Sequence, residues 1–316
     1  CYISSSKNIT ASSTYNGTGN LVIQSGGSLY TSAGENTAAI IDMDGYITIE
    51  SGGTINGNAN ISATNLTIAL GGGINANSKG YNGGDSDGED GDGPGKGFGD
   101  VDLDSGGGAA YGGDGGDGYD PGTTGIGGSA YGSLTKPVSL GSGGGAGDYY
   151  GANRYGGDGG GSVFINVTGT LVHNGVISTN GQNGYDGSTE SGGGGSGGTI
   201  IIKGMNITLS STVDVSGGSG GAMAHSYGGA GGGGGGGRIK IFYESLNDSG
   251  ASYDVSGGPN GGSSYEAPSA TDGASGTTYN TSQDYTPTFN LTTPGPSVTI
   301  FEEEVAPLKL NVTTDK

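Results

Sequence analysis

The chain has 316 residues, 78 of them glycine, and a formal net charge of −20. Leu, Ile, Val and Phe together make up about 16% of it, under the roughly 20% below which a highly charged chain ordinarily stays unfolded. This excludes a thick apolar core. The negative charge disfavours nucleic-acid and acidic-polysaccharide ligands, and no apolar run approaches the ~20 residues of a membrane helix.

Composition alone points to disorder, but the apolar residues are concentrated. In residues 1–79, β-type alternation appears at Leu21-Val22-Ile23, Tyr46-Ile47-Thr48-Ile49 and Leu66-Thr67-Ile68-Ala69-Leu70. Each is closed by glycines, at Gly26-Gly27, Gly52-Gly53 and Gly71-Gly72-Gly73. Strand, glycine turn and strand again is a β pattern, and glycine costs a helix interior about 1 kcal/mol per residue. Almost no α-helix is expected. Residues 80–162 form an insert of Gly, Asp, Ser and Tyr.

Residues 163–263 carry the clearest repeat. Val163-Phe164-Ile165 leads through Thr170-Leu171-Val172 to Val176-Ile177-Ser178. Thr199-Ile200-Ile201-Ile202 leads through Ile207-Thr208-Leu209 to Val213-Asp214-Val215-Ser216. Arg238-Ile239-Lys240-Ile241 leads through Leu246 to Tyr253-Asp254-Val255-Ser256. Val163, Ile200 and Ile239 are 37 and then 39 residues apart, a period at which one supersecondary unit stacks on the next. The fold class expected is therefore all-β, a parallel β-helix (β-solenoid), with Val163, Ile200 and Ile239 in one apolar column. Between repeats lie glycine tracts at 181–198, 217–237 and 257–278. Either they are flexible loops, or they are ordered polyproline-II strands packed side by side. Their repeated placement and the length of the 80–162 insert favour the ordered form. Residues 264–316 change character: Pro287, Pro294 and Pro296 precede two strand-like runs, 297–301 and 308–312, which would cap the stack or connect it to another copy.

The side chains that chemistry requires are sparse. His173 is expected at the surface beside the Asn174-Gly175 turn, and His225 lies in a glycine tract; no Ser-His-Asp or Cys-His set suggests itself. The chain holds two arginines, Arg154 and Arg238, too few to grip an acidic sugar, so no enzyme is expected. The acidic run Asp85, Asp87, Glu89, Asp90, Asp92, continuing to Asp100, Asp102 and Asp104, would either bind calcium through its oxygens or hydrate a glycine-rich surface. As an EF-hand loop it has Asp90 where glycine is needed. Eighteen Tyr and no Trp are present; those in glycine tracts, Tyr111, Tyr131, Tyr155 and Tyr185 among them, are expected to pack over glycine backbone.

Ten Asn-X-Ser/Thr sequons, about twice what chance would give, stand at Asn8, Asn16, Asn60, Asn65, Asn166, Asn206, Asn247, Asn280, Asn290 and Asn311, the pattern of a glycosylated exported chain. Asn65 and Asn206 each precede an inward apolar position (Ile74, Val215) by nine residues, as if one face were decorated repeatedly. Cys1 is the single cysteine. A chain beginning with Cys suggests a removed leader, with lipidation or an intermolecular disulfide as the fate of Cys1.

The strings Gly197-Gly198-Thr199-Ile200-Ile201-Ile202 and Gly235-Gly236-Gly237-Arg238-Ile239-Lys240-Ile241, each followed by Asp-Val-Ser-Gly-Gly, resemble the glycine-rich parallel β-helix modules of prokaryotic (bacterial or archaeal) cell-surface and filament proteins. The resemblance covers residues 160–262 well and 20–80 loosely, and it does not reach 264–316. It implies an extracellular structural or adhesive role. The expected function is a glycosylated subunit of a cell-surface filament or sheath, with copies of itself as partners and glycans or the cell surface as further contacts. A monomeric adhesin comes second, and a polysaccharide-active β-helix enzyme third.

Overall fold

The structure, a computed structural model, describes residues 1–10, 14–32, 38–99, 105–119, 125–147, 154–187, 190–223, 229–262 and 270–282. Among them every regular element is a strand. They are β1 (Tyr2–Ile3), β2 (Ser6–Thr10), β3 (Thr14–Gly17), β4 (Leu21–Ile23), β5 (Ser28–Ser32), β6 (Ala39–Ile49), β7 (Thr54–Asn56), β8 (Ala59–Ile68), β9 (Gly73–Asn75), β10 (Ser162–His173), β11 (Val176–Ser178), β12 (Thr199–Leu209), β13 (Thr212–Asp214), β14 (Arg238–Asn247), β15 (Ser252–Asp254) and β16 (Thr277–Ser282). The larger sheet has nine strands, in the order β1-β4-β6-β8-β10-β12-β14-β16, with β3 beside β6. The smaller has seven, in the order β15-β13-β11-β9-β7-β5-β2. Every pairing is parallel.

The chain visits the two sheets in turn, so each strand lies over the strand one repeat earlier. Side chains alternate across a strand, and β6 alternates buried and exposed residues along most of its length. Parallel register then stacks like on like. Val163, Ile200 and Ile239 stand in one column with Ala59 beneath Val163. Ile41, Ile61, Ile165, Ile202 and Ile241 form a second column, and Leu29, Ile55, Ile74, Ile177 and Val213 a third, in the smaller sheet. All but Ala59 carry large side chains, and every one of these residues is buried; removing each large one from water is worth about 1.5–3 kcal/mol. A thin core suffices because the apolar residues of the strands are concentrated in it.

The corner after the larger sheet's lower strands is a stack of glycine turns. Gly26, Gly52 and Gly71 all have φ near +80°, where a Cβ would be strained. Gly26 N–H donates to Gly52 C=O at 3.2 Å and Gly52 N–H to Gly71 C=O at 2.8 Å. Although the 80–162 insert separates β9 from β10, β10 pairs directly with β8 and β11 with β9, so the chain leaves and returns without breaking either sheet. At the upper end, β16 extends the larger sheet beyond the repeat read from sequence; its Thr- and Asn-rich stretch lacks the apolar alternation of the earlier strands.

The glycine tracts hydrogen-bond laterally to one another. Along 193–198 the successive N–H groups donate to Gly145, Gly232, Gln182, Ser142, Gly235 and Thr179. The partner segment recurs every third residue. Residues 143–147 behave likewise, donating to Asp92, Gly157, Gly107, Glu89 and Arg154. The long insert joins this assembly: Gly232 N–H donates to Gly106 C=O at 3.1 Å and Gly235 N–H to Ala109 C=O at 2.7 Å. Spacing is close enough that a Cβ on Gly193 would lie 1.9 Å from the Gly107 carbonyl oxygen, so only glycine fits there. Runs 297–301 and 308–312 lie outside the described residues.

Candidate functional site

His173 closes β10, and its registered neighbours are Ile68 and Leu209. It therefore occupies an inward column that runs Ile3, Ile23, Ile49, Ile68, His173, Leu209. The surface position expected from the adjacent turn is wrong: His173 is fully buried and neither ring nitrogen has a hydrogen-bond partner. Burial lowers its pKa to about 4. An imidazole walled in by aliphatic side chains has no access to a substrate. His225 lies outside the described residues.

Arg238 and the insert tyrosines form a structural tie. Arg238 is buried; Nη2 donates to the Tyr131 carbonyl at 2.8 Å and the Tyr111 carbonyl at 3.3 Å, and Nη1 to Thr277 Oγ1 at 3.0 Å. Its guanidinium carbon lies 5.3 Å from the Tyr111 ring centroid. Tyr111 is fully buried, and its hydroxyl shares a 2.7 Å hydrogen bond with Thr199. Burial raises the pKa of both Tyr111 and Tyr131. These groups fasten the long insert to β12, β14 and β16; the expectation that tyrosine packs over glycine holds here. Tyr155 and Tyr185 differ. They meet edge-on with centroids 5.6 Å apart and remain 38% and 43% exposed. Arg154, in the insert, is buried. On the larger sheet's outward face, Lys240 Nζ sits 3.3 Å from the Tyr279 ring centroid and 4.7 Å from that of Phe242, and donates to Thr281 Oγ1 at 2.6 Å.

The acidic run anchors its own loop. Glu89 Oε2 accepts from Ser86 Oγ at 2.8 Å and from Asp85 N–H at 3.1 Å. The Ser86 hydrogen bond lowers the Glu89 pKa, and hydrogen bonding and charge from Glu89 raise that of Asp85. Asp90 forms a 2.6 Å ion pair with Lys96 and accepts from Gly99 N–H. Among the described residues no three His, Cys, Asp or Glu side chains gather as a metal would need, so Asp85, Asp87, Glu89, Asp90 and Asp92 do not form such a group; Asp100, Asp102 and Asp104 lie outside the described residues.

The sequon asparagines lie at the surface. Asn8, Asn16, Asn60, Asn65, Asn206, Asn247 and Asn280 are exposed and Asn166 is half-buried; Asn290 and Asn311 lie outside the described residues. Asn65 and Asn206 do flank one position: Asn65 Oδ1 accepts from Thr170 N–H at 2.8 Å, and Thr170 is registered with Asn206. The apolar residues used to align them do not match, because Ile74 shares its column with Val213 and not with Val215. Register also separates Asn280 from the others. It stands over Ile241 in an inward column. Asn166 borders a depression of about 300 Å³ where the register shifts of β6 and β10 against β8 coincide, lined by Asp42, Asp44, Ser62, Thr64 and Thr168. Cys1 is exposed and free; its Sγ lies 2.6 Å from the Tyr15 hydroxyl.

No protein-family model, curated protein or solved structure matches the chain. Among the described residues no helix is long and apolar enough to cross a membrane.

Proposed function

We propose that the chain is a structural subunit of an extracellular cell-surface filament or sheath, glycosylated and without enzymatic activity. In this reading the two sheets are faces of one parallel β-helix, and the glycine tracts are polyproline-II strands bundled alongside it. Donors that return to the same neighbour every third residue fit the three-residue turn of that conformation. The observation that carries the proposal is where the residues are spent: the apolar ones on continuous columns, the glycines on lateral hydrogen bonds. Among the described residues, side chains suited to catalysis are buried in that framework or dispersed. The exposed sequons at outward positions, Asn8, Asn16, Asn60, Asn65, Asn206 and Asn247, fit a surface coated in sugar, and glycan on Asn166 would fill the depression beside it.

Electron microscopy of the native material tests the reading. Filaments or sheets are expected; discrete particles at micromolar concentration would refute it. Intact mass of the same material reports sugar on the asparagines and any lipid on Cys1. A second reading, a monomeric adhesin, is favoured by the exposed Tyr155–Tyr185 pair, since aromatic faces suit sugar rings. Loss of glycan or cell binding in Y155A/Y185A would support it.

A further inference from the structure

The sequons are not spread evenly over the molecule. Every asparagine in a strand of the larger sheet belongs to one, whereas Asn56 and Asn75 of the smaller sheet do not, and no sequon falls between residues 66 and 165. Those of the larger sheet, Asn280 excepted, occupy outward positions that are exposed or half-buried.

Four of them surround the depression of about 300 Å³. Asn16, Asp42, Ser62 and Asn166 stand in one outward row across β3, β6, β8 and β10, with a sequon at each end of the row. Asn60 precedes Ser62 by two residues on the same face of β8, and Asn65 follows Thr64 at the register shift. Strands lie about 4.8 Å apart and residues rise about 3.3 Å along each, so all four asparagines stand within about 10 Å of Ser62. Among them Asn166 lines the depression itself and is half-buried, while Asn16, Asn60 and Asn65 are exposed on its rim.

We infer that the depression is a seat for the chain's own sugar: the glycan on Asn166 lies in it, held by hydrogen bonds from sugar hydroxyls to Asp42, Asp44 and Ser62. The inference rests on the glycosylated reading above. The volume is at the lower end of the range for small-molecule sites, and the lining suits a sugar ring. Asp42 and Asp44 offer two carboxylates, and hydrogen bonds from hydroxyls to carboxylates are roughly twice as strong as neutral ones. The only ion pair among the described residues joins Lys96 to Asp90, so no cation occupies either carboxylate. Thr64 Oγ1 donates to the Asp44 carbonyl at 2.6 Å and fixes the β8 side of the depression against the β6 side. Met43 and Ala63, both buried, add apolar lining for the C–H face of a ring. Sugars on the three rim asparagines extend into solvent.

Limited periodate oxidation of the native glycoprotein, read by glycopeptide mass spectrometry, tests the seat, because periodate cleaves exposed vicinal diols. The Asn166 glycan should react at least about tenfold more slowly than those on Asn60 and Asn65, the factor expected if a hydrogen bond to a carboxylate must break first. The difference should vanish in urea and in native D42A/D44A. Equal rates in the native protein, a difference that persists in urea, or full protection in D42A/D44A overturns the seat. Sugar on Asn60 and Asn65 with none on Asn166 also overturns it and leaves the glycosylated reading intact. Sugar on none of these asparagines removes both.

Discussion

Replacing His173 by leucine should stabilise the protein in acid and change little at neutral pH. The imidazole titrates near 6.5 in an unfolded chain and at about 4 in the fold. Above pH 6.5 it is neutral in both states and contributes no pH dependence. Between 6.5 and 4 the unfolded chain binds a proton that the folded chain does not, so stability falls as pH falls and levels off below 4. A separation of about 2.5 pKa units at about 1.36 kcal/mol each amounts to about 3 kcal/mol. Many of the chain's 30 carboxyl groups also titrate toward the lower limit, but they act equally on both proteins. The informative quantity is the difference between wild type and H173L. Urea unfolding at pH 7.5 and pH 4, followed by circular dichroism, measures it: the two midpoints should diverge toward low pH in favour of H173L. Parallel curves would refute the reasoning, because they would mean that the imidazole keeps a solvent or hydrogen-bond outlet.

Gly193→Ala places a Cβ 1.9 Å from the Gly107 carbonyl oxygen, so neighbouring tracts must separate; a loss of at least about 2 kcal/mol in thermal unfolding is expected, whereas Gly19→Ala, which meets nothing within 4 Å, should be neutral. Arg238→Met removes three hydrogen bonds and strands two carbonyls, and should cost about 3 kcal/mol while making the insert more susceptible to limited proteolysis than the sheets. Because Asp90 is held by Lys96 and Glu89 by Ser86, a chelator should leave the melting temperature unchanged. A drop of several degrees would show that calcium organises the 85–92 loop.

The strands were legible because the larger sheet is built from runs such as Thr199–Leu209, whose alternation is dense enough to outweigh a composition suggesting disorder. The 37- and 39-residue spacings were sufficient to place Val163, Ile200 and Ile239 in one column. Short strands of the smaller sheet, such as Thr54–Asn56 and Thr212–Asp214, were harder to see: three residues carry no periodicity. β16 was obscured because it bears polar residues at inward positions, Thr278 over Ile239 and Asn280 over Ile241. His173 misled for a similar reason. A turn-flanking histidine looks exposed until register reveals Ile68 and Leu209 on either side.

Sequence by itself determined that this chain is β, that it repeats, and where its main apolar columns lie, because strand periodicity and glycine placement are local properties. Tertiary structure decided where the glycine tracts go. Each tract's N–H groups find carbonyls far away in the chain, as Gly106 does in Ser191 and Gly233 in Thr271, and a run of glycines contains nothing that names its partner.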